Sequence, residues 1–209
     1  VTYKPTEKQI EATGLLTNEK LFTLLYGGSR SGKTFLFCRA VCLRAAKAEG
    51  SRHVILRHAF NHIKTSIWMD TLPKVMKICF PDLTVKWNRS DFFIEFPNKS
   101  ELWIGGLDDK ERVEKILGKE YATIYFNEVS QIRYEAYTTA LTRLAQKTIL
   151  KNKIYLDCNP PPITHWLYKV FFDKKDPATG EKILNTALYQ HLLMNPVDNL
   201  ENLDEDYID

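Results

Sequence analysis

The octet Gly27-Gly28-Ser29-Arg30-Ser31-Gly32-Lys33-Thr34 fits the pattern G-x-x-x-x-G-K-[ST]. Residues of these types at this spacing can hold a polyphosphate. The glycines let backbone amides turn in around a β-phosphate that side chains would otherwise block. Lys33 is placed to bridge the β- and γ-phosphates, and the Thr34 hydroxyl to ligate Mg²⁺. A second constellation closes the apolar run Thr123–Phe126 with two polar residues, Asn127-Glu128. Glu128 has the chemistry to polarise a water in line with a γ-phosphate. The Asn127 amide oxygen can hold a magnesium-bound water, though it brings no negative charge. Asp157, near the end of the next apolar run, is another source of that charge.

These residues need elements that place them. The continuous apolar run Leu21–Tyr26 reads as a buried strand entering the glycines. A helix over Thr34–Glu49, stopped by Gly50, follows. Its unpaired N–H groups and positive dipole end would face the anion. Further expected strands are His53–Arg57, Val85–Trp87, Phe92–Phe96, Glu101–Ile104, Ala122–Phe126, Lys153–Cys158 and Thr186–His191. Expected helices are Thr6–Thr13, a region over 60–80 disturbed at Pro73, Asp108–Leu117, Tyr134–Gln146 and about Thr164–Phe172. Asp173–Lys182 reads as a surface loop. Short buried strands alternating with helices predict an α/β fold: a mainly parallel central sheet flanked by helices, with antiparallel strands at one side.

The chain has 209 residues, 44% hydrophobic and 26% charged, which excludes wholesale disorder and suits one domain. A formal net charge of +3 is nearly balanced, so contact with nucleic acid would need a local patch. Lys147, Lys151 and Lys153, and Lys169, Lys174 and Lys175, are the candidates, for weak, salt-sensitive, sequence-independent binding. No apolar run reaches the ~18 residues of a membrane span. Cys38, Cys42, Cys79 and Cys158 form no metal spacing with the histidines; Cys38 and Cys42 read as small buried residues on one helix face. Unpaired cysteines and a polar N-terminus predict a reducing cytoplasm. A phosphate loop with Glu128 points to hydrolysis by water. A helicase-like remodeller would need a second domain, a small kinase an arginine-rich lid, and a non-catalytic switch would be favoured only by Asn127.

Taken together these motifs resemble the ATPase domain of the large terminase subunits of tailed bacteriophages. The resemblance is carried by Arg30 inside the loop, by Asn127-Glu128, by Leu156-Asp157-Cys158-Asn159-Pro160 and by Lys4-Pro5-Thr6-Glu7-Lys8-Gln9 upstream. Ile104-Gly105-Gly106-Leu107-Asp108-Asp109 and Met194-Asn195-Pro196 are weaker echoes. It implies a RecA-like P-loop NTPase of the ASCE class with ATP and Mg²⁺, hydrolysing ATP to drive viral double-stranded DNA into a procapsid. It implies adenine recognition by Gln9, a cis arginine finger at Arg30, γ-phosphate sensing and coupling by Asn159, and a metal site of Thr34 with Asn127 through water. Residues 1–197 would be the ATPase domain and 198–209 the start of a linker toward a nuclease domain, so no nuclease activity is expected here. The implied partners are DNA, a portal protein, a small terminase subunit and further copies in a ring on the portal, with a monomer in isolation. The implied place is the host cytoplasm, transiently on the procapsid. Two departures stand out. Asn127 replaces the usual aspartate. Leu117 precedes Gly118, where some members carry an arginine for a neighbouring subunit; Arg112, Lys115 and Lys119 are the basic residues nearby.

Overall fold

The computed structural model describes residues 3–108 and 110–202, the side chains of 110–112 excepted. In chain order the elements are α1 (Glu7–Thr17), β1 (Phe22–Tyr26), α2 (Lys33–Lys47), β2 (Arg52–Arg57), α3 (Phe60–Ile63), α4 (Leu72–Cys79), β3 (Lys86–Asn88), β4 (Phe93–Glu95), β5 (Glu101–Gly106), α5 (Lys110–Leu117), β6 (Thr123–Phe126), α6 (Tyr134–Leu141), β7 (Lys153–Cys158), α7 (Trp166–Tyr168) and β8 (Tyr189–Leu193). The strands form one sheet in the order β3-β4-β5-β2-β6-β7-β1-β8. From β5 to β8 every pairing is parallel, and β3 and β4 add an antiparallel edge. This is the predicted α/β architecture.

Each central strand buries alternate residues on opposite faces, as the pleat requires. Leu25, Ile55, Tyr125 and Tyr155 pack with α1–α4 on one side. Leu24, Val54, Leu56, Ile124, Phe126, Ile154 and Leu156 pack with α6 and α7 on the other. Phe37 of α2 packs against Tyr125 and Tyr155, with ring centroids 4.9 and 5.0 Å away, and locks the helix after the phosphate loop onto the middle of the sheet. Cys38 and Cys42 are buried in the same layer, as the spacing suggested.

Several boundaries differ from expectation, each for a local reason. The first helix runs past Thr13 and Gly14 to Thr17 because Ala12 and Leu16 are buried together. Residues 60–79 are helical throughout, but Lys64–Thr71 widen to a π-helix, and Leu72 N–H donates to Ile67 O rather than one residue later. Pro73, which has no N–H to donate, begins the α-helical turns that follow. Helix α6 ends at Leu141 rather than Gln146, because Arg143 O accepts from Tyr121 N and Gln146 Oε1 from Arg52 N, tying this stretch to the sheet. The helix expected over Thr164–Phe172 is one α-turn, Trp166–Tyr168, continued as a π-turn, Lys169–Asp173. The last strand is displaced to Tyr189–Leu193, where Phe22 pairs with Tyr189. Pro196–Asn202 forms 3₁₀ turns with Asn199 buried against the phosphate loop. Val1, Thr2, Asp109 and the acidic stretch 203–209 lie outside the described residues.

A buried histidine ties the far end of the sheet together. His53 on β2 has no exposed surface. Ser51 Oγ donates to Ala48 O, so His53 Nε2–H must donate to Ser51 Oγ. Arg44 Nε donates to Thr123 Oγ1, which leaves the Thr123 hydroxyl to donate to His53 Nδ1. The network suits a neutral ring with its proton on Nε2, and the Arg44 charge beside it disfavours a second proton. Burial, reinforced by the Arg44 charge, pushes the imidazole from 6.5 down to about 3. Between those values the unfolded chain binds a proton that the folded chain excludes, so stability is lost as pH falls through that window. Unfolding free energies from urea titrations should drop by about 1.4 kcal/mol per pH unit from this group. His53→Gln should flatten the slope; an unchanged slope would contradict the assignment.

Candidate active site

The phosphate loop leaves β1 at Tyr26 and enters α2 at Lys33. Gly27 N–H donates to Cys158 O on one side, and Met194 N–H donates to Tyr26 O on the other, so β7 and β8 clamp the root of the loop. The glycines serve this packing. A β-carbon on Gly27 would lie 1.9 Å from Met194 O, and one on Gly28 2.7 Å from Pro196 Cδ. Gly32, at φ +82°, would strike Gln9 Nε2 at 2.6 Å. The expectation was that these glycines chiefly clear space for phosphate; at these three positions they let α1 and the 194–199 segment close on the back of the loop. Gly32 is also the N-cap of α2 and offers no side chain, so the first N–H groups of the helix are left for an anion. Ser31 is buried, while Ser29 and Arg30 are exposed, with Arg30 at φ 59° and its carbonyl accepting from Asn199 Nδ2 at 2.7 Å.

Lys33 is 7% exposed, and its ammonium donates to Gly27 O at 2.9 Å, Gly28 O at 2.7 Å and Ser31 Oγ at 2.8 Å. Burial lowers its pKa, and the charges of Asp157 and Glu128 oppose that. A cation held in this way is poorly hydrated and strongly attracts anions.

Beside the loop lies a buried carboxylate. Glu128 lies just past the end of β6, and β7 lies between β1 and β6. This puts Asp157, paired with Leu25 of β1, directly under the start of α2. Asp157 is 1% exposed. It accepts from Thr34 Oγ1 at 2.9 Å, Tyr125 OH at 2.6 Å, Asn127 Nδ2 at 3.1 and 3.2 Å, and Glu128 N at 2.7 Å. Asn127 turns its Oδ1 the other way, to Arg57 Nη1 at 3.4 Å. Glu128 stands in the left-handed region, φ 51° and ψ 49°, a conformation costing of order 1 kcal/mol for a non-glycine residue. The hydrogen bond from its backbone to Asp157 holds it there. Burial raises the pKa of the Glu128 carboxyl, as does the Asp157 charge; Arg57 and Lys33 pull it back. Arg57 itself, at the end of β2, also donates to Ser66 Oγ at 3.2 Å in the π-helical segment, and its buried Nε has no hydrogen-bond partner among the described residues.

Behind the loop is a cavity of about 580 Å³ lined by Tyr3, Gln9, Gly32, Phe35, Ile78 and Asn199, among others. Gln9 belongs to a capping box: its backbone N–H donates to Thr6 Oγ1, and its Oε1 accepts from Thr6 N–H at 3.2 Å. Tyr3 OH also donates to that oxygen at 3.2 Å. Of the donor and acceptor that a glutamine can offer an adenine, the acceptor is taken, and Nε2 is the atom directed at the loop.

Other expected residues are scattered. Asn159 is exposed just past β7, next to the loop root. Lys115 pairs with Asp91, and Lys119 sits 4.5 Å over the Trp103 ring, both at the antiparallel side of the sheet. The Arg112 side chain lies outside the described residues. Lys153 is 4% exposed and its ammonium caps the carbonyls of Asn18 and Lys20, so it cannot join a surface patch. Lys151 pairs with Glu19, and Lys174 lies over the rings of Phe171 and Tyr189. Among the described residues no helix is long and apolar enough to cross a membrane. Arg57 and Tyr125 were not anticipated as parts of the site. A basic residue closing a buried strand at the same sheet edge as Asn127 was the available signal for Arg57.

A glycine loop between a buried strand and a helix, with carboxylates at the adjacent strand ends, defines a P-loop protein. The model of the phage terminase large subunit family matches residues 19–208, and the chain belongs to that family. Among solved structures it is similar to a large terminase from a thermophilic bacteriophage, with a TM-score of 0.80 and 21% identity over 97% of this chain. The chain spans 48% of that protein's length. It is also similar to the large terminase ATPase domain of Thermus phage P74-26, with a TM-score of 0.63, 14% identity, and 92% of this chain and 81% of that one covered. The N-terminal domain of the DNA packaging ATPase from bacteriophage phi29 gives 0.56 and 15%, over 93% and 96% of the two chains. No curated protein matches the sequence.

Proposed function

We propose that this chain is the ATP-hydrolysing motor part of a phage large terminase, which drives double-stranded viral DNA into a procapsid. The observation that carries the proposal is the convergence of Lys33, Thr34, Asp157, Asn127 and Glu128 at one end of three neighbouring strands and the helix above them. A related terminase has been seen with ADP and with ATP-γ-S, which supports the same ligand class here.

In this proposal the loop amides and the start of α2 hold the phosphates, and phosphate oxygens take over the donors that Lys33 now gives to Gly27 O, Gly28 O and Ser31 Oγ. Adenine enters the cavity beside Gln9, whose Nε2 donates to a ring nitrogen while Tyr3 and Phe35 supply apolar contact. The oxygen donors at the foot of α2, Thr34 Oγ1 and the carboxylate touching it, suit a hard cation. Among the described residues no group of three His, Cys, Asp or Glu gathers. Mg²⁺ held there would supply positive charge against the charge of the triphosphate. Glu128, made more basic by its burial, accepts a proton from the attacking water. Arg30 acts on the γ-phosphate from the same chain, and Asn159 relays the phosphate state to the stretch after β7. Residues 1–197 serve as the ATPase domain and 198–209 as the start of a linker, with Asn199 Nδ2 donating to Arg30 O at that boundary. A portal, a small terminase subunit and neighbouring copies in a ring, in the host cytoplasm and on the procapsid, complete the proposed setting.

The test is phosphate release from Mg²⁺-ATP by the purified chain, with and without duplex DNA at low salt. The proposal expects measurable turnover, with DNA affinity falling steeply as salt rises. Absence of any turnover and of any ATP binding would overturn it.

A further inference from the structure

We propose that Asp157, on β7, supplies the carboxylate of the magnesium site, and that Asn127 orients it instead of holding a metal-bound water. The inference rests on the P-loop reading above.

Three observations support it. First, Asp157 is the acidic group in contact with the metal-binding hydroxyl: Thr34 Oγ1 lies 2.9 Å from Asp157 Oδ2. Pairing of β7 with β1, at Leu25, is what brings it there. Second, the charge of Asp157 is not neutralised by its hydrogen-bond donors. Tyr125 OH, Asn127 Nδ2, Glu128 N and Thr34 Oγ1 are all neutral, and the residue is 1% exposed. A buried anion held by neutral donors keeps its attraction for a cation and is fixed in position. Third, Asn127 presents the wrong end for a metal-bound water. Its Nδ2 faces Asp157, while its Oδ1 accepts from the Arg57 guanidinium. A divalent ion on the Oδ1 side would meet that positive charge.

The pair is therefore matched. An aspartate at 127 beside Asp157 would put two carboxylates about 3 Å apart, where both cannot stay ionised. Asn127 supplies two-proton donor chemistry where a second acid would repel. Asp157 also lies two residues before Asn159, so the strand that carries the metal carboxylate leads straight into the expected coupling turn.

The experiment compares the Kd of AMP-PNP, a non-hydrolysable ATP analogue, in EDTA and in saturating Mg²⁺. Asp157→Asn should bind AMP-PNP in EDTA at least as tightly as the wild type, because a negative charge beside the phosphates is removed and the Thr34 and Tyr125 hydroxyls can reverse their hydrogen bonds to suit an amide. Its gain in affinity on adding Mg²⁺ should fall by about 10–100-fold. Asn127→Ala should lose part of that gain but less than Asp157→Asn, because Tyr125 OH and Glu128 N still hold the carboxylate. The exchange N127D/D157N should recover part of it by moving the charge one strand over, and it serves if Asp157→Asn alone melts early. An unchanged Mg²⁺ gain in Asp157→Asn, or a greater loss in Asn127→Ala than in Asp157→Asn, would overturn the proposal while leaving nucleotide binding intact. A wild type that binds no AMP-PNP even in EDTA would instead bring down the P-loop reading, and this inference with it.

Discussion

Glu128→Gln is expected to bind Mg²⁺-ATP with near-wild-type affinity and to hydrolyse it about 10²–10⁴ times more slowly. The substitution keeps the shape and the backbone hydrogen bond from residue 128 to Asp157 Oδ1, which holds the left-handed turn. It removes only the atom pair able to take a proton. In the wild type that carboxyl is partly buried and its pKa is raised, chiefly by desolvation and then by Asp157, which makes it a better base than a solvated glutamate. Arg57 and Lys33 oppose the rise. Equilibrium binding and steady-state phosphate release, measured on the same preparation, separate the two effects. A Gln variant retaining more than about a tenth of wild-type turnover would remove Glu128 from the role of base.

Lys33→Ala should produce the larger loss in affinity. The ammonium is almost fully buried, and its three acceptors are all in the loop. A charge-assisted hydrogen bond contributes about 1.5–3 kcal/mol, so the net loss of one to phosphate predicts a roughly 10–150-fold weaker Kd for ATP and no turnover above background. The effect should be smaller for ADP, which lacks the γ-phosphate the lysine bridges. The substitution also frees the carbonyls of Gly27 and Gly28, so a thermal melt belongs beside the titration. Equal losses for ATP and ADP with an unchanged melt would contradict the γ-phosphate role.

What the sequence reveals of this site follows from how local each feature is. The loop, the strand before it and the helix after it are contiguous, so residue types and spacing suffice. Strand existence was legible because buried parallel strands read as apolar runs. Strand order was not, because hydrogen bonding between β7 and both β1 and β6 depends on tertiary packing. That order explains why Asp157, rather than the residue at 127, touches Thr34. Lys153 illustrates the opposite failure. In sequence it resembles its neighbours Lys147 and Lys151, but as the first residue of β7 it points into the protein and caps the carbonyls at the end of the α1–β1 connection. The displaced last strand has the same origin: register with β1 is set by Phe22 stacking on Tyr189, at 4.2 Å between centroids, which propensity along one strand does not encode.

The most direct test of the central claim is a crystal structure of the chain with Mg²⁺ and AMP-PNP. The account predicts the γ-phosphate against Lys33 Nζ, the metal between Thr34 and the phosphates, and the Glu128 carboxylate facing a water in line with the terminal phosphorus. A nucleotide seated elsewhere, or a Glu128 side chain turned away from the γ-phosphate, would contradict it.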